Sequence, residues 1–123
     1  MIISFILNLP YSFMGLVLGL TCFPKSIQLH KKPFAIVFCV QYFWWAIGYF
    51  KGERATAIGN IILLNKKVEE KDLEHELVHV QQYEREPLLH PIFYSIEWLR
   101  HGYRDNKYEI EAYSKAGNNY YPH

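Results

Sequence analysis

The sequence predicts an α+β fold: an N-terminal membrane helix, a small antiparallel sheet, a helix carrying a histidine pair, and further C-terminal helices. Three observations predict it. Residues 1–24 contain no Asp, Glu, Lys or Arg; the apolar runs between residues 33 and 65 favour strand-forming types; and beyond residue 70 apolar side chains recur at helical spacing. With 123 residues there is length for a single core, so the expected organisation is an anchor, 1–24, followed by one domain, 25–123.

Residues 1–24 approach the roughly 20 apolar residues that cross a bilayer core. Asn8 and Pro10 predict a kink in it, and Gly15 and Gly19, four apart, offer a helix-packing face. No positive charge precedes the apolar run, which argues against a cleaved signal peptide. The next segment, PKSIQLHKKP, reads as a short basic connection. Its Lys25, Lys31 and Lys32 place this end of the span in the cytoplasm by the positive-inside rule.

Residues 33–50 are uncharged, and their 18 residues sit at the lower limit for a second span. Phe34, Ile36, Val37, Phe38 and Val40 favour strands instead. The strand reading implies one span and a cytoplasmic domain. Arg54–Asn65 forms a further strand-like run broken at Gly59-Asn60, where a bulge or close backbone approach is expected.

Charge and cysteine content narrow the function classes. Thirteen basic and twelve acidic residues leave a net charge of +1 with no basic stripe, which points away from nucleic acid. The two cysteines, Cys22 and Cys39, both lie in apolar runs, so free thiols are expected rather than a disulfide framework or a cysteine metal site.

The chemistry gathers at His75-Glu76-Leu77-Val78-His79. Residues four apart share a helix face, so the two imidazoles stand side by side at a spacing that a tetrahedral metal accepts. Glu76 flanks such a metal without ligating it and is placed to take a proton from water. Leu73, Leu77, Val80 and Tyr83 supply an apolar stripe, and Pro87 ends the helix near Arg85 or Glu86. Two histidines and a glutamate on a polar helix face also occur as solvated groups, so a catalytic site needs a third protein ligand. His90, Glu97, His101, Glu109 and Glu111 are the candidates. Pro91 suits the start of a helix whose Ile92, Ile96, Leu99 and Tyr103 fall on one stripe, and Gly102 stops it. KYEIEAYSKA then forms a last helix ending at Gly117, with a polar, loose tail NNYYPH.

HELVH followed by NKYEIEAY resembles the gluzincin class of zinc metallopeptidases, above all its very small, minigluzincin-like members. The resemblance covers roughly residues 54–114 and implies a zincin-like domain. It places the third zinc ligand at Glu109, within Glu109-Ile110-Glu111-Ala112, and implies that Glu76 is the general base of peptide-bond hydrolysis. Position 113 is Tyr where such proteins often carry an Asp that orients a histidine, so another group must do that here. The resemblance also implies an edge strand that pairs with an extended peptide, which puts Ala57, Gly59 and Asn60 at the substrate. An oxyanion-stabilising group is expected among His101, Tyr103, Tyr108 and Tyr113.

The competing reading of Glu109 is a helix cap, since Asn106-x-x-Glu109 has capping-box spacing. The expectation is therefore a membrane-anchored zinc peptidase acting on a peptide or protein. The alternative is a non-catalytic, membrane-associated zinc-binding or interaction module with the same fold.

Overall fold

The computed structural model describes residues 2–31, 33–41, 54–65 and 68–118. In chain order these form helices α1 (Ile2–Leu7) and α2 (Leu9–Thr21), then strands β1 (Pro24–Lys31), β2 (Phe34–Val40), β3 (Ala55–Ile58) and β4 (Ile61–Leu64). Helices α3 (Asp72–Arg85), α4 (His90–His101) and α5 (Lys107–Ala116) follow. The fold is α+β.

The strands make one sheet in the order β1-β2-β4-β3. It is mixed rather than antiparallel as expected: β1–β2 and β3–β4 pair antiparallel, but β2 and β4 run parallel. The sheet is covered on both faces, which is why AIVFCV and IILL read as continuous apolar runs instead of alternating ones. Ala35, Val37, Ile62 and Leu64 point towards α3 and pack with Val80, Leu73 and Leu77. Phe38, Val40, Ile61 and Leu63 point the other way and pack with Cys22 and Leu18. Both cysteines are free, Cys22 buried and Cys39 half-buried.

The expected membrane helix is overturned. The N-terminal apolar segment is two helices broken at Asn8, and no helix among the described residues is long and apolar enough to cross a membrane. The longer, α2, has 13 residues and so spans only about 20 Å of the roughly 30 Å hydrocarbon core. The expected membrane location, and the cytoplasmic siting derived from it, lose their basis with that span. Asn8 has a specific role instead of a mere kink. Fully buried, it donates from Nδ2 to the Tyr83 carbonyl and accepts from the Leu88 amide, tying the bend to the last turn of α3 and to the connection that follows it.

The glycine pair packs on the sheet. Ser12, Gly15 and Gly19 are the buried face of α2. A Cβ on Gly15 would stand 2.8 Å from Ile61 Cβ, and one on Gly19 would enter the Phe38 ring. The larger side chains Phe13, Met14, Val17 and Leu20 are turned outward. The stripe expected on α4 also faces outward: Ile92, Ile96 and Leu99 are exposed, and His90 is the buried residue of that helix.

Of two connections, one differs from expectation and one meets it. PKSIQLHKKP is largely strand β1, an edge strand recruited by backbone pairing to apolar β2 although it buries little itself. Gly59-Asn60 is the two-residue turn of the β3–β4 hairpin, with Gly59 at φ +63, and the close backbone approach expected there is to α2: a Cβ on Gly59 would stand 2.6 Å from the Ser12 amide nitrogen. The expected second strand region continues to residue 50, but residues 42–53 lie outside the described ones, as does the tail from residue 119.

Candidate metal centre

Helix α3 fixes the first two groups of the site. Asp72 and Glu74 in its first turn and Arg85 in its last suit the helix dipole. Its apolar residues anchor one side to the sheet. His75, Glu76, His79, Gln82 and Tyr83 are buried along the same helix. Helix α5 packs against α3 and supplies the third group. Asn106 caps α5, its Oδ1 accepting from the Tyr108 amide at 2.9 Å. Glu109 does not complete a reciprocal cap; its carboxylate turns to the histidines. The local cap and the long-range contact therefore coexist, with Asn106 doing one and Glu109 the other.

Three donor atoms converge. Glu109 Oε1 lies 2.9 Å from His75 Nε2 and 3.1 Å from His79 Nε2, and the two nitrogens are 3.2 Å apart. Ligands held at about 2.0–2.1 Å around a tetrahedral zinc are separated by about 3.3 Å, so the three atoms already occupy nearly that spacing. Among the described residues this is the one group of His, Cys, Asp and Glu side chains close enough to hold a metal. Tyr94 donates its hydroxyl to the other oxygen of Glu109, leaving Oε1 as the inward-facing one.

Hydrogen bonds at the far side of each imidazole give the tautomers. Gln82 donates from Nε2 to the Tyr108 carbonyl at 3.0 Å and to Glu111 Oε1 at 2.8 Å, so its Oε1 is the atom that faces His79. That oxygen can only accept, hence His79 Nδ1 carries the proton and donates at 2.8 Å. His75 Nδ1 likewise donates to Asn118 Oδ1 at 3.1 Å. Both Nε2 atoms therefore present lone pairs inward. Two lone pairs and a carboxylate oxygen at these distances repel unless a positive charge lies among them, and a divalent cation fits that donor set. Without one the cluster takes a proton: burial opposes charge at His79, but the Glu109 carboxylate overrides this and holds its pKa at about 10. Glu109 itself is pulled far below the usual carboxylate range by the two histidines, despite its burial.

Gln82 and Asn118 thus take the orienting role that no Asp at position 113 supplies. Tyr113 does contact the site: its ring packs edge-on against His75, centroids 4.2 Å apart, and its hydroxyl hydrogen-bonds that of Tyr103. Glu111 accepts from Arg85 and Lys115 as well as Gln82, so it supports the site from behind and is not among the converging donors. Gln82 had a readable signal, three residues beyond His79 on the same face. Asn118 had none.

Glu76 is buried, with Oε2 4.0 Å from His75 Nε2. A cavity opens over these groups, walled by Thr56 and Ala57 of β3 on one side and by Pro91, Tyr94, Ser95 and Trp98 of α4 on the other. Tyr103 also lines it. Of the residues expected at the substrate, Ala57 is brought there. Gly59 and Asn60 turn away to α2, where the Asn60 amide donates to Ser12 Oγ and its side chain to the Phe34 carbonyl. Exposed His101 does not line the cavity, nor does Tyr108, whose ring lies edge-on to His90. His90 lines the cavity but stays outside the converging donors. Burial keeps it neutral, with a pKa of about 3, and its buried Nδ1 lies 3.8 Å from Glu86 Oε1.

No family model, curated protein or solved structure matches the chain.

Proposed function

We propose that this chain is a zinc-dependent peptidase of the gluzincin type. The observation that carries the reading is the convergence of His75, His79 and Glu109 donor atoms beside Glu76, at the base of a cavity bordered by strand β3. His75 Nε2, His79 Nε2 and Glu109 Oε1 would hold the zinc. When bound, it supplies a Lewis acid that polarises a carbonyl and brings the pKa of water to about 7.

The chain's own groups account for the rest. Glu76 takes a proton from the attacking water and returns it to the leaving amine nitrogen. Among the described strands β3 is the last of the sheet, and the backbone beside Thr56 and Ala57 would pair there with an extended peptide. The aromatic wall of Tyr94, Trp98 and Tyr103 excludes water from the other side and offers apolar surface to a substrate side chain. The Tyr94 hydroxyl keeps Glu109 turned so that one oxygen faces the histidines.

The test is hydrolysis of a mixed peptide library by the zinc-loaded wild type and by Glu76→Gln. The reading expects turnover in the first and its loss by several orders of magnitude in the second, with zinc retained. Equal turnover in the two proteins would remove Glu76 from the chemistry. A zinc-loaded wild type that cleaves nothing would favour the non-catalytic zinc-binding module.

A further inference from the structure

Building on the metal-site reading, we infer that Arg54, Asp72 and Asn118 form a positioning chain that sets which nitrogen of His75 faces the metal. None of them belongs to the histidine motif. Asp72 is fully buried at the start of α3, Arg54 is buried immediately before β3, and Asn118 lies beyond the end of α5.

The chain runs from a buried carboxylate through one amide to the imidazole. The Asp72 carboxylate accepts from Arg54 Nε at 2.8 Å, from Arg54 Nη2 at 3.1 Å and from the Glu69 amide at 2.7 Å. Asn118 Nδ2 donates to the same carboxylate at 2.8 Å. A carboxylate held ionised by a guanidinium can only accept, so the Asn118 amide must turn its NH2 group towards Asp72. Its oxygen is then forced towards His75, 3.1 Å from Nδ1. An amide oxygen cannot donate. The proton of a neutral His75 therefore sits on Nδ1, and Nε2 keeps its lone pair facing Glu109 and His79. Reversing the amide would set its carbonyl against the Asp72 carboxylate and its NH2 against the imidazole N–H, losing both bonds at once.

The chain also explains the backbone after α5. Gly117 adopts φ +72, a left-handed conformation that glycine takes without strain, and its N–H closes the helix on the Tyr113 carbonyl. That turn brings the next residue, Asn118, over α3. A residue that would pass for loose tail is thereby part of the site. The same Asp72–Arg54 pair joins the start of α3 to the start of β3, the strand that walls the cavity. The ligand and the cavity wall are thus set by one buried ion pair.

A purely structural staple would use the same contacts, so the test must read the imidazole itself. The probes are long-range 1H–15N NMR of His75 in the metal-free protein and zinc affinity by chelator competition. Three proteins are compared: wild type, Asn118→Leu, and the exchange of Asp72→Asn with Asn118→Asp. The exchange keeps Arg54 Nε donating to position 72 and an acceptor oxygen facing His75 Nδ1, while the bond between positions 72 and 118 reverses direction and Arg54 Nη2 gives up its acceptor. The inference expects Nδ1–H at His75 in the wild type, and mixed tautomers with zinc affinity lowered about 10–100-fold in Asn118→Leu. The exchange should recover both readouts to within a few-fold of wild type. A folded Asn118→Leu protein with the wild-type tautomer and unchanged zinc affinity would overturn the chain, as would an exchange no better than the single variant. If the wild type takes up no zinc, the metal reading fails, and the tautomer measurement still decides the positioning chain separately.

Discussion

His79 Nδ1 donates to Gln82 Oε1 at 2.8 Å, one turn further along the same helix. The bond leaves Nε2 of His79 free to face His75 and Glu109, and Gln82 is itself held by Glu111 and the Tyr108 carbonyl. Replacing Gln82 by Leu keeps the bulk but removes the acceptor. The expected outcome is zinc affinity lower by about 10–100-fold, read by competition with a chromophoric chelator. Affinity within twofold of wild type would show that His79 is oriented by packing alone.

Glu111 behind Gln82 gives a pH signature. The Arg85 guanidinium holds its carboxyl down at about 2, helped by Gln82 and Lys115 and opposed by burial. A carboxylate whose pKa is lower in the folded chain stabilises it above the unfolded pKa of about 4.3, and that contribution is lost as pH falls through the folded value. Glu111→Gln should therefore melt at a lower temperature than wild type near pH 7. The gap should close between about pH 4 and pH 2. Thermal melts of both proteins across that range check it; a gap independent of pH would mean the variant acts through packing instead of charge.

The N-terminal segment can be tested through its glycines. Gly19 lies so close to Phe38 that a methyl group must displace the ring, and Gly15 meets both the Ile61 side chain and the Ile58 carbonyl. Overpacking of this kind costs typically 1–3 kcal/mol. Gly19→Ala should lower the melting temperature, whereas Leu20→Ala, changed on the outward face, should do so far less. Equal effects would contradict the packing of α2 on the sheet.

What the sequence made legible follows from the range of the interactions involved. The motif helix ends where Pro87 requires, at Arg85, and α5 stops at Gly117, because caps and breakers act over a few residues. The facing of His75 to His79 is likewise a property of one helix. Composition predicts an anchor here because it reports how apolar a segment is, not what covers it. Asn8 interrupts the run, and a face made of Ser12, Gly15 and Gly19 serves sheet packing as well as it serves a bilayer. The parallel β2–β4 pairing joins residues 25 positions apart, such as Ile36 and Ile61, beyond any local signal. Gln82 was in view at the right spacing, but Asn118 becomes visible only once α5 is folded against α3.

The most direct test of the central claim is the zinc content of the purified chain by elemental analysis after equilibration with zinc and removal of the excess. The account predicts about one zinc per chain in wild type, in Glu76→Gln and in Glu111→Gln, and a sharp loss in His75→Ala, His79→Ala and Glu109→Gln. Zinc far below one per chain in the folded wild type would contradict it. So would a Glu109→Gln protein that holds zinc as tightly as wild type.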